Sequence, residues 1–379
     1  MDFAWSEEQI AFRRRVRSFL EAELPSNWEE LARQSPGSKA LTDFSLEFCP
    51  KLAAAGLLVP HWPKEFGGEE ATPWEHFILG EEMWRVGEPR GPQYYNVNWL
   101  GPSIMKFGSQ AQKDQHLALI AAGKAIWCQG FSEPGAGSDL AALRTRADKV
   151  DGGYSITGSK IWTSYASLAD YCFLLARTSA GKAGVSVFLV EMKSPGIEVR
   201  KIPSVVGDGD IHEVFFTDVS VPEDCRLGAE GQGWEVARYA LHYERVGIPR
   251  YALARRVLER VVEGLKTAGQ FSDSLVRARA AQAFAACEAA RFLIYRVIDQ
   301  RAKNQPQSAE TSVGRVAVVN AERIVSDFAL DFVAERMLGT GDLLVDTHQK
   351  RAITAGIAAG AAEIQLNLIA DQLLNLPRG

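Results

Sequence analysis

The stretch Ser132-Glu-Pro-Gly-Ala-Gly-Ser-Asp139 combines a proline and two glycines with two serines that lie six residues apart. Proline and glycine close together predict a tight turn. Gly135 and Gly137 can adopt a positive φ and let a large ligand approach bare backbone. The hydroxyls of Ser132 and Ser138, with exposed backbone N–H groups, can bind a polar ring edge and a phosphate. The stretch therefore predicts a binding loop for a flat ligand that carries phosphate.

A second stretch, Lys160-Ile-Trp-Thr-Ser164, places an indole beside two hydroxyls. Aromatic rings are suitable stacking partners for a flat cofactor. We therefore expect two loops to hold one cofactor between them. Two simpler interpretations remain open on these residues alone: Trp162 is only a core residue, and Ser132 is only a turn cap.

The regions around these loops differ in their pattern of apolar and polar residues. Residues 1–122 carry apolar residues at helical spacing, as in Phe12 and Val16, and predict helices. Residues 123–228 contain short β-rich runs separated by turn sequences, which predict a small β-barrel or sandwich. Residues 229–379 return to a helical pattern rich in Ala, Leu, Arg and Glu. We therefore expect a multidomain α+β chain, with the binding loop at the entrance of the β domain.

Composition and charge exclude several classes of protein. A chain of 379 residues is too long for one simple core, and 46% hydrophobic with 23% charged residues is ordinary for a soluble protein. A net charge of −5 gives no indication of nucleic acid or an anionic membrane as partner. Apolar runs are far shorter than the ~20 residues of a membrane span, and the N-terminus lacks a signal-peptide pattern. Five scattered cysteines and six histidines show no metal-ligand spacing, which fits a reducing cytoplasm and no metal.

Five motifs, in this order, resemble the acyl-CoA dehydrogenase family over nearly the whole chain. They are Ser132–Asp139, Gly158-Ser-Lys-Ile-Trp-Thr163, Phe216-Thr-Asp-Val-Ser-Val-Pro222, Leu227-Gly-x-Glu-Gly-x-Gly233 and Gly360-Ala-Ala-Glu-Ile-Gln365. The resemblance implies an N-terminal helical domain, a central β domain and a C-terminal four-helix bundle. It also implies FAD as cofactor and a CoA thioester of the fatty-acyl type as substrate.

The resemblance implies a role for individual residues of the two loops. Ser132 is expected to bond the flavin ring, and Trp162 and Ser164 to pack against it near N5. Ser138 is expected to contact the pyrophosphate or the pantetheine of the substrate. The full set of implied cofactor residues is Gln129, Phe131, Ser132, Gly137, Ser138, Trp162, Thr163, Ser164, Glu335 and Gly339.

The family's reaction needs a carboxylate that removes the α-proton while a hydride goes to flavin N5. Many members carry this glutamate in a Tyr-Glu-Gly-Thr segment, but the matching residues here are Ala358-Ala359-Gly360-Ala361. Members of the isovaleryl and long-chain type carry it on the helix that opens the C-terminal domain, where Glu244 matches. Arg245 matches an arginine that helps to seat the substrate. The backbone N–H of Ala359 matches the donor to the thioester oxygen, which needs no side chain.

The residues around Glu244 support this assignment independently. On a helix, Val236 and Ala240 share a face with Glu244, so the carboxylate lies in an apolar stripe. Desolvation there would raise the pKa of Glu244 toward the value that a general base needs. A structural ion pair is the alternative for Glu244, and a solvated charge is the alternative for Arg245. Pro249 is expected to kink the same helix just beyond.

Besides the missing Tyr-Glu-Gly-Thr glutamate, the chain departs from the family pattern in the half of the FAD site that neighbouring subunits share. Family homotetramers carry an Arg-x-x-Phe-Gly loop that reaches the FAD of a neighbour, and residues 266–273 lack that pattern. The Gly-Gly-Asn-Gly loop is replaced by Leu338-Gly-Thr-Gly341, with Glu335 where a glutamine is common. This combination resembles catalytic subunits of actinobacterial-type α2β2 acyl-CoA dehydrogenases that act on sterol side chains. The expected assembly is a homo-oligomer or such a heterotetramer, in which a second chain completes the FAD site.

Three functions stay open on the sequence. The first is α,β-dehydrogenation of an acyl-CoA, with electrons passing to an electron-transfer flavoprotein. The second is a non-catalytic FAD-binding subunit that depends on a partner, and the third is a flavin oxidase or monooxygenase on the same fold. The small residues at 358–361 favour a branched or ring-bearing acyl group, such as a steroid side chain.

Overall fold

The computed structural model describes residues 4–34, 37–181, 184–205, 211–245, 249–306, 308–336, 341–358 and 360–377, with the backbone alone at 242–245 and 336. Helices occupy both ends of the chain and strands lie between them. The N-terminal helices are α1 (Glu7–Glu23), α2 (Trp28–Ala32), α3 (Lys39–Ala54), α4 (Pro73–Arg85), α5 (Gln93–Tyr95), α6 (Gly101–Phe107) and α7 (Gln110–Ala121). The C-terminal helices are α8 (Gly233–Arg245), α9 (Tyr251–Thr267), α10 (Ser274–Ala302), α11 (Glu310–Val333), α12 (Leu343–Thr354) and α13 (Ala362–Gln372).

The strands lie in the middle of the chain. They are β1 (Trp127–Gly130), β2 (Arg146–Val150), β3 (Gly153–Ser164), β4 (Tyr171–Arg177), β5 (Val185–Glu191), β6 (Ile197–Ile202), β7 (Ile211–Pro222) and β8 (Arg226–Leu227). The order of hydrogen-bonded neighbours is β6-β7-β3-β2-β4-β5-β8, and β1 pairs with β4. One parallel residue pair, Arg146 with Arg177, joins β2 to β4. The predicted helical, β and helical order is confirmed.

The chain forms two compact units that interleave along the sequence. One contains Met1–Arg33, Ala71–Pro89 and Arg245–Gly379, and the other contains Gln34–Glu70 and Arg90–Glu244. The sheet, α3, α5, α6 and α7 belong to the second unit, as do the α8 residues up to Glu244. The domain boundaries expected at 122/123 and 228/229 stay a prediction.

Local sequence explains how the helices begin and which faces they bury. Ser6 caps α1 by accepting a hydrogen bond from the N–H of Gln9, and the Gln9 side chain returns one to the N–H of Ser6. The apolar face predicted for this helix is confirmed, because Phe12, Val16 and Leu20 are buried. In the C-terminal region, α9, α10 and α11 share one apolar core, in which a Cβ on Gly314 would meet Ile294 Cδ1 at 2.9 Å.

One prediction about the helix that carries Glu244 is wrong. The sequence predicted a single helix with a kink at Pro249. Instead, α8 is described as far as Arg245, and Pro249 and Arg250, which are the next described residues, are not helical. The next helix, α9, begins at Tyr251. A proline fits well just ahead of a new helix, because it lacks an N–H that a helix interior would need.

Candidate flavin site and catalytic helix

The loop at 131–139 forms the tight turn that the sequence predicts. Glu133 and Ala136 exchange two backbone hydrogen bonds of 2.9 and 3.0 Å across Pro134 and Gly135. The carbonyl oxygen of Ser132 accepts a hydrogen bond of 2.9 Å from the N–H of Ile161. This bond brings the first loop and the Trp162 segment together within one unit, as expected for two loops that hold one ligand.

The two glycines of this loop correct one expectation and support another. Neither Gly135 nor Gly137 has a positive φ, so the prediction of left-handed backbone is wrong. A Cβ added at either position would meet no atom within 4 Å. Packing within the chain therefore does not require glycine at 135 or 137, whereas a ligand that covers bare backbone would. The loop fits a bound FAD in this respect.

Trp162 lies in a bulge of β3 and is directed to the outside. The pairing of β3 with β7 shifts register between Lys160 and Thr163, so Trp162 has no partner on β7. Its backbone adopts φ 60°, and its side chain is 58% exposed. A bulky residue in the left-handed region is strained, and such strain concentrates at functional sites. The interpretation of Trp162 as a core residue is therefore excluded.

The next two residues differ in their environment. Ser164 is half-buried, but Thr163 is buried and its hydroxyl has no partner among the described residues. The Nδ1–H of His212, on β7, donates to the carbonyl oxygen of Thr163 at 3.1 Å. The Thr163 side chain therefore lies in the interior, so a contact of Thr163 with a cofactor would use its backbone. Ser164 keeps a partly accessible hydroxyl next to Trp162.

Two further predicted residues lie at β1. Gln129 belongs to this strand, and Phe131 follows its last residue, Gly130. Phe131 is buried, with its ring centroid 6.0 Å from that of Phe173. The indole N–H of Trp99 donates to Gln129 Oε1 at 2.8 Å and fixes the orientation of the amide. Trp99 belongs to a π-helical turn, Asn96–Leu100, and such turns are frequent at functional sites. Sequence reasoning missed Trp99, because no pattern in the sequence marks a π-helical turn.

The start of helix α8 is fixed by the contact of its first residue with β5. A Cβ on Gly233 would lie 2.5 Å from the carbonyl oxygen of Val185, so the helix begins in direct contact with the β5 backbone. Val236 and Ala240 are buried, which confirms the apolar stripe expected on the face that leads to Glu244. The Glu244 and Arg245 side chains lie outside the described residues. Their roles as base and substrate contact therefore stay predictions.

The remaining predicted residues are Ser138 of the first loop and three residues of the C-terminal region. Ser138 is exposed in a bend, and Glu335 is exposed in a short 3-10 turn. Gly339 and Ala359 lie outside the described residues. Next to Ala359, the carbonyl oxygen of Ala358 accepts a hydrogen bond of 3.1 Å from Arg315 Nη2.

The segment that replaces the Arg-x-x-Phe-Gly loop turns toward its own unit. Helix α9 ends at Thr267, and Gly269 follows with φ 72°. Phe271 packs against the core of α9 and α10, and Lys266 Nζ lies 5.6 Å from the centroid of its ring. The aromatic residue of this loop is therefore used within the chain itself.

Comparison with known proteins identifies the family. Three domain models match in sequence: the acyl-CoA dehydrogenase N-terminal domain at residues 6–124, the middle domain at 128–219 and the C-terminal domain at 231–374. The chain belongs to the acyl-CoA dehydrogenase family. Members of this family are FAD-dependent oxidoreductases of acyl-CoA. The open glycines at 135 and 137 and the exposed indole of Trp162 fit that cofactor.

Relatives and solved structures support the same assignment. Acyl-CoA dehydrogenase IpdE1 of Mycobacterium tuberculosis is 35% identical over 338 residues, which cover 86% of this chain and 87% of the relative. The solved structure of the Tcur3481-Tcur3483 steroid ACAD matches with a TM-score of 0.91 at 27% identity over 100% of both chains. The ChsE4-ChsE5 complex from Mycobacterium tuberculosis matches with a TM-score of 0.89 at 27% identity, again over 100% of both chains.

The described residues offer neither a membrane-spanning helix nor a metal site. None of the helices that the structure describes is both long and apolar enough to cross a membrane. The same residues contain no group of three or more His, Cys, Asp and Glu side chains that could hold a metal ion.

Proposed function

We propose that this chain catalyses the α,β-dehydrogenation of an acyl-CoA with Glu244 as the catalytic base. The observation that carries the proposal is the strained, exposed Trp162 held beside Ser132 by the Ser132–Ile161 hydrogen bond. This arrangement offers a flat surface and a hydroxyl to a flavin ring. Helix α8 supports the second half of the proposal, because its buried face leads directly to Glu244.

Each residue has a defined task in this reaction. Glu244 removes the α-proton of the thioester. The backbone N–H of Ala359 donates to the thioester oxygen, which stabilises the negative charge that develops there. Ser132, Trp162 and Ser164 hold and orient the cofactor ring. FAD, when bound, supplies the acceptor for the hydride that leaves the β-carbon.

The variant Glu244→Gln tests the base. The amide keeps the size of the side chain but cannot take a proton, so flavin reduction should slow by about 10³-fold, within the usual range for a lost general base. The measurement is bleaching of the oxidised flavin absorbance after anaerobic mixing with acyl-CoA. FAD content and spectrum should stay at the wild-type level. Glu235→Gln, on the exposed side of the same helix, is the matched control. Reduction at the wild-type rate in Glu244→Gln would place the base elsewhere.

We further propose a branched or ring-bearing acyl group. Alanines replace a bulky Tyr-Glu pair at 358–359, and a similar solved structure is named a steroid ACAD. A panel of thioesters from butyryl-CoA to steroid side-chain CoA compares kcat/KM directly. A clear preference for short straight chains would contradict this proposal.

The assembly proposed is a heteromer with a second acyl-CoA dehydrogenase-like chain, with an electron-transfer flavoprotein as acceptor. Residues 266–273 lack the arginine that would reach a neighbour's FAD, and Phe271 packs on its own core. Two similar solved structures carry two-chain names, Tcur3481-Tcur3483 and ChsE4-ChsE5. Light scattering and a flavin count on the chain expressed alone test this. We expect less than one FAD per chain, and a fully active, FAD-replete homotetramer would refute the heteromer.

A further inference from the structure

A buried ion pair joins the two segments that carry the proposed flavin contacts. Lys160 is 0% exposed and Glu133 is 8% exposed, and Lys160 Nζ lies 2.8 Å from Glu133 Oε1. Glu133 follows Ser132 in the first loop, and Lys160 precedes Trp162 by two residues on β3. No role for either residue follows from the proposed reaction itself.

The pair ties three segments of the chain together. Besides Lys160, the Glu133 carboxylate accepts hydrogen bonds from the N–H groups of Arg144 at 2.6 Å and Thr145 at 2.9 Å, just before β2. Lys160 Nζ also donates to the carbonyl oxygen of Phe131 at 3.1 Å. The loop, the start of β2 and the bulged part of β3 therefore share one polar centre, in which both charged groups have several partners.

The two charges of the pair stabilise each other against the effect of burial. Burial alone would raise the pKa of Glu133, but the Lys160 ammonium and the N–H groups of Thr145 and Arg144 outweigh it and lower that pKa. Burial lowers the pKa of Lys160, and the Glu133 carboxylate opposes this change. The charges are thus stabilised by each other and by the backbone.

Stabilisation of the fold does not by itself explain why an ion pair is buried at this position. Apolar side chains of similar size are often as stabilising as a buried ion pair, since two charges must lose their water. Geometry gives a better reason. Lys160 holds the carbonyl oxygen of Phe131 and Ile161 holds that of Ser132, so Ser132 is fixed from both sides. Lys160 is also the residue at which the bulge of Trp162 begins, so the ion pair holds that point of β3.

We propose that Glu133 and Lys160 are positioning residues. They hold Ser132 and Trp162 in the relative position that binds the flavin. The inference rests on the proposed function of those two residues. The pair acts on the binding of FAD and not on the proton transfer assigned to Glu244. Failure of the base assignment would change the rate of flavin reduction, whereas failure of this inference would show in FAD affinity, so the two outcomes are distinguishable.

The test is a double-mutant cycle on FAD affinity. Lys160→Met, Glu133→Gln and the double variant are purified in the assembly that retains FAD, stripped of FAD and titrated with it. Each should bind FAD about tenfold more weakly, as expected when the support of a binding residue is lost. The double variant should lose no more than either single variant, because the two residues act as one unit. Quenching of tryptophan fluorescence by FAD follows binding in this titration.

Three comparisons decide the outcome. A merely structural pair would lower the thermal stability of the apoprotein but leave the FAD Kd at the wild-type value, and that result would overturn the proposal. Additive effects of the two substitutions on Kd would also contradict it. The pair Arg250→Met with Glu322→Gln removes a partly buried ion pair of the other unit, with N–O distance 2.8 Å, and should leave FAD affinity unchanged. If a single variant fails to fold, Glu133→Asp replaces it, because it keeps the charge but shortens the reach to Lys160.

Discussion

Trp162 imposes two energetic costs on the chain in the absence of a cofactor. A bulky side chain at φ 60° costs on the order of 1–3 kcal/mol, and an indole that is 58% exposed gains little from burial. A ring stacked on the indole would offset both costs. The sequence predicted Trp162 as a flavin contact through its motif, but it could not predict the strain. That strain arises from the register of β3 on β7, which depends on residues some fifty positions away.

Replacement of Trp162 by glycine should therefore change folding and binding in opposite directions. Trp162→Gly removes the backbone strain, so the free energy of unfolding of the apoprotein should rise by up to about 1 kcal/mol. FAD affinity should fall by about tenfold, because the stacking surface is gone. Urea unfolding of the apoprotein and an FAD titration measure the two effects. Asn304→Gly, at an exposed residue with φ 50°, should stabilise the chain without changing FAD affinity. A less stable apoprotein that binds FAD normally would contradict this view of Trp162.

Helix α8 shows which features of an element could be read from sequence. The apolar stripe with Val236 and Ala240 was predictable, because helical spacing places these residues on one face. The interruption at Pro249 and Arg250 was not, since Pro249 is compatible with a kink or with a new start. The contact of Gly233 with the β5 backbone could not be predicted from the sequence either. A glycine at a helix start has several explanations, and only the partner strand selects one.

Adding one methyl group at Gly233 should displace the start of α8. In Gly233→Ala, the Cβ would come within 2.5 Å of the carbonyl oxygen of Val185 and 2.8 Å of Ser186 Cα, and strand backbone cannot move aside easily. We expect a loss of about 1–3 kcal/mol in the free energy of unfolding, typical of overpacking. The rate of flavin reduction should fall by about tenfold or more, because Glu244 lies on this helix, while FAD content stays constant. Arg238→Ala, at an exposed position of α8, is the control. An unchanged rate would show that the position of α8 does not limit the reaction.

At the scale of the whole molecule, the order of helical, β and helical regions was visible in the sequence, but their grouping was not. Helices α1, α2 and α4 belong to the same compact unit as α9 to α13. Contacts between distant residues hold that unit together. The Tyr251 hydroxyl donates to Glu81, and Arg256 and Arg260 both form ion pairs with Glu29. The pattern of residue types along a chain cannot reveal such pairings, because each partner looks like an ordinary helix residue.

Each of the two units contains a buried histidine that resists protonation. Burial lowers the pKa of His116, which packs edge-on against the rings of both Trp127 and Tyr171, to about 4. Burial likewise lowers the pKa of His348 to about 4. The His348 Nε2–H donates to the carbonyl oxygen of Glu322 at 3.2 Å, and Nδ1 has no partner among the described residues. A second proton on His348 would therefore be buried without an acceptor, near the positive charges of Arg250 and Arg351.

These two histidines predict a loss of stability in mild acid. In the unfolded chain their pKa is near 6.5, so between pH 6.5 and 4 the unfolded state binds more protons than the native state. Their contribution is complete above pH 6.5 and is lost as the pH falls toward 4. Between pH 7 and pH 5 each histidine should lower the free energy of unfolding by about 2 kcal/mol. Urea unfolding at both pH values measures this. His116→Gln and His348→Gln should each flatten this pH dependence. A variant that keeps the wild-type pH dependence would show that its histidine is already protonated in the native state.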